Sequence, residues 1–314
     1  MTDGGKKPAL GSMAILLGTS MIWGVSFVAQ SAGMAYIGPF TFTAVRSAIS
    51  AAGLAACALL FDRLGLSPKN ADRKRLVRAG LLLGAVLFVG NNLQQVGLQY
   101  TSVGKAGFLS SLYVVLVPIF GLAVGRRAHP MVWACALLAC AGLYFLSVQE
   151  NFAVGKGDLL VLACAAVYAV HILLIDHYAG SVDVVRLNCI QFAVAALLSA
   201  VPMAVFEQPS IRHIPEAWLS LLYAGLLAGG CAYTMQMLGQ RNVEPTAASL
   251  LLSPESVFSA LAGWALLGQT LTGRELTGCA LVFVAVVCSQ LPWRRILRMR
   301  GAREKRTSGR SADA

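Results

Sequence analysis

Ten stretches of roughly 20 predominantly apolar residues follow one another along the chain, at about 11–30, 39–61, 76–98, 103–124, 130–148, 158–177, 184–205, 217–239, 245–267 and 273–291. The core of a bilayer offers no water to the backbone, so a crossing segment has to satisfy its own amides within a helix of about 20 residues. No soluble domain needs ten such runs. With 57% hydrophobic and only 12% charged residues in 314, the composition agrees. The expected fold is an all-α membrane protein of ten transmembrane helices.

The sequence is also written twice. A shift of 142 positions pairs Gly97 with Gly239, Ala106 with Ala248, Leu109 with Leu251, Ser111 with Ser253, Val115 with Val257 and Gly121 with Gly263. A shift of 143 pairs Gly125 with Gly268, and a shift of 145 pairs Trp23 with Tyr168 and Arg46 with Gln191. Five spans per half is an odd number, so the second half enters the membrane in the opposite sense. The expectation is therefore two inverted five-helix repeats around a central cavity, a plan used by many secondary transporters. The domains read as a cytoplasmic N-terminus over 1–10, repeats over 11–148 and 149–291, and a basic cytoplasmic tail over 292–314.

Short cytoplasmic loops carry an excess of Lys and Arg. With the N-terminus inside, 20 of the 25 basic residues fall on the inner side and only Lys156, Arg212 and Arg274 on the outer side. Both termini are expected in the cytoplasm, in a multi-pass protein of the cell (inner) membrane. This bias accounts for the net charge of +11, which therefore gives no reason to invoke nucleic acid. The basic tail is expected against anionic lipid headgroups.

All eight cysteines lie within apolar spans with no CxxC pair and no His at metal spacing, and they read as small packing residues rather than disulfides or metal ligands. Spans 5 and 10 carry few polar residues. They are expected at the periphery, against lipid or a second copy of the chain in a homodimer.

Polar residues inside spans are costly and mark interiors and pathways. Span 1 carries Trp23, and span 6 answers with Tyr168 and His171, where a neutral, bonded His and a proton carrier are both open readings. Arg46 in span 2 either ties helix ends together or attracts an anionic substrate, since a guanidinium keeps its charge. Asn91, Gln95 and Gln99 recur at i, i+4 and i+8 on span 3 and are expected to face a cavity. At the shift of 142, Tyr233 of span 8 falls on Asn91 and Gln236 on Gln94, which points to one chamber shared by the halves. Lys105 opens span 4 within reach of the outer surface, and Tyr113 in that span is the equivalent of Glu255 in span 9. Glu255, beside Pro254, is the strongest single signal. Burial disfavours a charged carboxylate, so Glu255 is a candidate proton-coupling group, with a structural hydrogen-bond acceptor as the competing reading. The expected substrate-cavity residues are thus Trp23, Asn91, Gln95, Tyr113, Tyr168, His171, Tyr233 and Gln236, with Glu255, Arg46 and Lys105 as coupling or charge sites.

On these features the chain resembles the drug/metabolite transporter superfamily, EamA type, over about residues 11–291. The resemblance is carried by Trp23-Gly24, Arg46, the run TSVGKAGFLSSLYVVLVPIFG from Thr101 to Gly121, and SPESVFSALAGWALLG from Ser253 to Gly268. It implies a cavity lined by helices 1, 3, 4, 6, 8 and 9, alternating access, and export or exchange of small metabolites, amino acids or drugs without a bound cofactor. One departure is Gln269, where many members carry an acid after LG. An enzyme is the rival from another class, but the chain has no HExxH and no GxSxG, and VGKA at Lys105 lacks the rest of a phosphate-binding loop. A passive channel or a non-transporting scaffold shares the expectation of a polar interior.

Overall fold

The protein is described by a computed structural model over residues 10–66, 72–126, 130–147, 155–207, 213–268 and 272–289. All regular structure among them is helical. The helices are α1 (Leu10–Gly33), α2 (Pro39–Arg63), α3 (Arg73–Leu98), α4 (Val103–Ser111), α5 (Tyr113–Ala123), α6 (Pro130–Ser147), α7 (Lys156–Tyr178) and α8 (Val184–Phe206). After a 3-10 turn at Pro215–Ala217 follow α9 (Trp218–Leu222), a π-helical segment (Tyr223–Ala232), α10 (Tyr233–Gln240), α11 (Pro245–Leu252), α12 (Glu255–Leu267) and α13 (Gly273–Ser289). The N-terminal nine residues, Gln269 and the basic tail lie outside the described residues.

Eight rods are long and apolar enough to cross a bilayer, counting α4 with α5, the run from Pro215 to Gln240, and α11 with α12 as single rods. That is fewer than the ten expected. The fifth and tenth expected spans appear as the shorter helices α6 and α13, of 18 and 17 residues. Both are shorter than the roughly 20 residues a crossing needs, and residues 127–129, 148–154, 269–271 and 290–314 lie outside the described set.

Local sequence explains the helix starts. Asp72, Ser102 and Asp183 each turn a side-chain oxygen onto a first-turn amide, at 3.1 Å to Arg75 N, 3.3 Å to Lys105 N and 2.9 Å to Val185 N. Pro39 and Pro245 occupy first-turn positions, where a missing N–H costs nothing.

The duplication recurs in the backbone. At the shift of 142, Val103 falls on Pro245 and Tyr113 on Glu255, so the starts of α4 and α5 coincide with those of α11 and α12. Each half thus has a rod broken at the same place, at Leu112 and at Ser253-Pro254. The two rods end on left-handed glycines, Gly125 at φ 78° and Gly268 at φ 64°, a conformation that glycine adopts without strain.

Packing repeats as well. Helix α2 packs on α8 and α6 on α13, each pairing equivalent helices of the two halves. Helix α3 packs on α7, as α1 does on the π segment and α10, and α5 meets α7 as α12 meets α1. At the α6–α13 contact the backbones nearly touch. A Cβ on Gly142 would lie 2.8 Å from Gly278 O, and one on Gly278 would lie 2.6 Å from Gly142 O. Large aliphatic and aromatic side chains such as Leu59, Leu197, Phe206, Leu219 and Phe283 point outward, while serines, amides and Glu255 are buried. This is the distribution expected where the outer solvent is lipid.

Candidate functional site

The buried polar side chains converge on a cavity of about 50 Å³ at the meeting of the two halves. Helix α1 contributes Trp23, Ser26, Phe27 and Gln30, α2 contributes Arg46, and α3 contributes Asn91 and Gln94. Tyr113 comes from α5, and Tyr168, His171 and Ile172 come from α7. Ala228 of the π segment, Tyr233 and Gln236 of α10, and Glu255 of α12 close the wall. The space holds a few water molecules, but a pocket for a metabolite is typically about 300 Å³ or more.

Tyr233 is the hub of the aromatic wall. Its ring centroid lies 4.8 Å from that of Trp23, 5.2 Å from Phe192 and 5.9 Å from His171. The Tyr168 hydroxyl donates to Asn91 Oδ1 at 2.9 Å and lies 3.3 Å from Gln94 Oε1, while Gln94 Nε2 donates to Ser110 Oγ at 2.9 Å. Behind the wall His171 Nε2 is 3.1 Å from Gln191 Oε1, Gln191 Nε2 donates to Asn188 Oδ1 at 2.6 Å, and Asn188 Nδ2 donates to Thr234 Oγ1 at 2.8 Å. This chain ties α7, α8 and α10 together. It places His171 in a bonded role, with one ring nitrogen engaged.

The π segment explains how backbone polarity is met at this depth. Its wider turn displaces carbonyls from their usual partners, and side chains from other helices take them up. Trp23 Nε1 donates to Ala228 O at 3.2 Å, Ser50 Oγ to Gly225 O at 2.7 Å, and Asn188 Nδ2 to Gly230 O at 3.2 Å.

Glu255 stands where the two broken rods meet. Its Oε1 accepts from Ser111 Oγ at 3.1 Å, Ser111 Oγ is 2.8 Å from Ser256 Oγ, and Ser256 Oγ donates to Gly107 O at 2.7 Å. The carboxyl group and these three partners are all buried. Arg46, also buried, lies with its Cζ 6.0 Å from the Phe42 ring centroid, and its Nε and Nη2 have no hydrogen-bond partner.

Of the residues expected to line a cavity, Trp23, Asn91, Tyr113, Tyr168, His171, Tyr233 and Gln236 share this wall with Arg46 and Glu255. Gln95 is buried but is not on the wall. Lys105 is elsewhere too. Its Nζ is 2.6 Å from Asp158 Oδ2, where Asp158 also accepts from Thr101 Oγ1 at 2.7 Å and Gly155 N at 2.8 Å, joining the first turns of α4 and α7. Three polar wall residues stood outside the expected set: Ser26, Gln30 and Gln94. Trp23, Ser26 and Gln30 follow one another at i, i+3 and i+7, a helical stripe that was available as a signal. Among the described residues no group of three His, Cys, Asp or Glu side chains is placed to hold a metal ion.

Comparison with known proteins agrees with this architecture. The EamA-like transporter family matches residues 10–148 and again 155–290, once for each half. An uncharacterized transporter of Archaeoglobus fulgidus is 32% identical over 273 residues, covering 87% of this chain and 83% of that protein. The uncharacterized transporter YoaV of Bacillus subtilis is 25% identical over 259 residues, covering 79% of this chain and 86% of its own. A crystal structure with 22% sequence identity shares the fold at a TM-score of 0.74, over 89% of this chain and 98% of that one. With both halves matched, the chain is a multi-pass membrane protein that belongs to the EamA-like transporter family.

Proposed function

We propose that the protein is a secondary carrier that moves small metabolites across the cell membrane by alternating access, its ten helices forming two inverted five-helix repeats about the cavity. The observation that carries this reading is the cavity itself: polar, buried, built by both halves, and too small in this conformation for a solute to pass. A carrier passes through states with no continuous conduit across the membrane, whereas a channel needs one. The matching breaks of α4–α5 and α11–α12, where Ser111 meets Glu255, support a hinge between the repeats.

Proton coupling through Glu255 is part of this proposal. An ionised Glu255 only accepts, so the two hydroxyl protons of Ser111 and Ser256 serve three contacts: to Glu255, between the serines, and to Gly107 O. A protonated Glu255 donates to Ser111, and each contact then has its own proton. Proton uptake therefore changes the bonding between α12 and α4, a link between the two halves.

Counterflow in sealed proteoliposomes tests the carrier reading. Vesicles preloaded with unlabelled solute should accumulate labelled solute transiently above its external concentration. Simple equilibration, with no overshoot for any solute that the vesicles pass, would favour a channel.

A further inference from the structure

Among the described residues Arg46 is the one Lys or Arg side chain on the cavity wall, and its charge has no partner there. It forms no ion pair among the described residues, and the unpartnered Nε and Nη2 form one edge of the guanidinium. That edge carries two parallel N–H donors spaced to match the two oxygens of a carboxylate. A buried charge without a partner is expensive, and a guanidinium cannot escape the cost by losing its proton.

A second donor on the wall is also unmatched. Asn91 Oδ1 accepts from the Tyr168 hydroxyl, which fixes the amide so that Nδ2 is the free end, and that nitrogen has no partner. The wall thus combines a permanent positive charge, a spare amide donor, and the rings of Trp23 and Tyr233, 4.8 Å apart.

We propose that the cavity is a binding site for a small organic carboxylate, with its two oxygens on the Arg46 edge, one of them shared with Asn91 Nδ2, and a flat apolar body against Trp23 and Tyr233. This rests on the carrier reading for its biological meaning but not for its chemistry. The cavity as it stands is too small for such a molecule, so the carboxylate enters a wider form, and the donors left unmatched here are the ones that the ligand satisfies.

Binding to the purified protein is measured by thermal stabilisation, since a ligand that binds the folded state raises its apparent stability. The probes are matched pairs, phenylacetate with phenylacetamide and lactate with lactamide, which differ in charge and hardly in shape. The acids should bind at least about tenfold more tightly than the amides, as expected for a bidentate charged contact. Arg46→Met should bring acid and amide to within about twofold, and Arg46→Lys, which keeps the charge without the fork, should fall between. Equal affinity of acid and amide for the wild-type protein overturns the proposal, as does the absence of saturable binding by either acid; neither result depends on a variant that folds. Counterflow of the same probes, above the rate in protein-free vesicles, separates the two ideas. Carboxylates that bind but never exchange leave this site standing and sink the carrier reading, whereas exchange of the amides alone does the reverse.

Discussion

Ser111 and Glu255, 144 positions apart in sequence, are joined by a 3.1 Å hydrogen bond at the point where the broken rods of the two halves meet. By the repeat, Ser111 corresponds to Ser253 and Tyr113 to Glu255, so the contact links neighbouring but non-equivalent positions of the two copies. The carboxyl group is therefore an asymmetric addition to a duplicated frame, placed where a change in protonation alters the bonds between halves.

Glu255→Gln is the variant that separates coupling from support. Gln keeps the shape and can still accept from Ser111, but it cannot take up and release a proton. The variant should fold and exchange solute at near wild-type rates while losing accumulation driven by a pH gradient in vesicles. Accumulation at the wild-type rate would remove Glu255 from the coupling step, and loss of folded protein would assign it a structural role.

Lys105 is expected to hold helix ends rather than to act in transport. Its ammonium is 18% exposed and pairs with an Asp158 side chain that is 5% exposed. Lys105→Met should lower stability by about 1 kcal/mol or more, because it leaves the buried Asp158 without its cation, and leave exchange rates unchanged. A thermal midpoint equal to wild type together with abolished exchange would place Lys105 in the transport cycle.

Gly24 sits at a close approach between α1 and the Glu255 helix. A Cβ there would lie 2.5 Å from Phe258 Cβ, 2.6 Å from Glu255 O and 2.8 Å from Ser259 N. Two of these neighbours are backbone atoms and cannot rotate away. Gly24→Ala should cost about 1–3 kcal/mol or more through overpacking, read as a lowered thermal midpoint, whereas Gly104→Ala, with nothing within 4 Å of its added Cβ, should not. Equal midpoints for the two variants would contradict the packing described.

The stripe on α3 shows what was legible in sequence and what was not. Its amide and its pairing with Tyr233 point Asn91 to the cavity, and the structure has both residues on the wall. The i+4 rule expects Gln95 there too, but the wall extends from Asn91 toward its i+3 side, where Gln94 stands, and an amide spacing alone does not say on which side of Asn91 the cavity continues. Ser26 and Gln30 share a face of α1 with Trp23 at i+3 and i+7, a pattern that Trp23 alone does not reveal. The breaks in the rods were foreshadowed by Pro254 alone. The first-half break at Leu112 has no proline at that position, and Pro118 lies inside α5. The π segment has no signal beyond Gly225, Gly229 and Gly230, and the donors that meet its carbonyls, Trp23, Ser50 and Asn188, are distant in sequence.

Cysteine labelling along this stripe tests its corrected register. In a background without the native cysteines, Asn91→Cys and Gln94→Cys should react with a water-soluble maleimide when the cavity opens, and Gln95→Cys should react far more slowly. Comparable rates at Gln94 and Gln95 would contradict the assignment of the wall.

The central claim, a cavity between two halves that opens to one side at a time, is tested most directly by two-sided labelling of Asn91→Cys. The protein is reconstituted in one orientation in sealed vesicles, and an impermeant maleimide is applied from outside or trapped inside. The account predicts modification from each side, with any condition that raises the rate from one side lowering it from the other. Modification from one side only, or rates from both sides that rise together, would contradict alternating access.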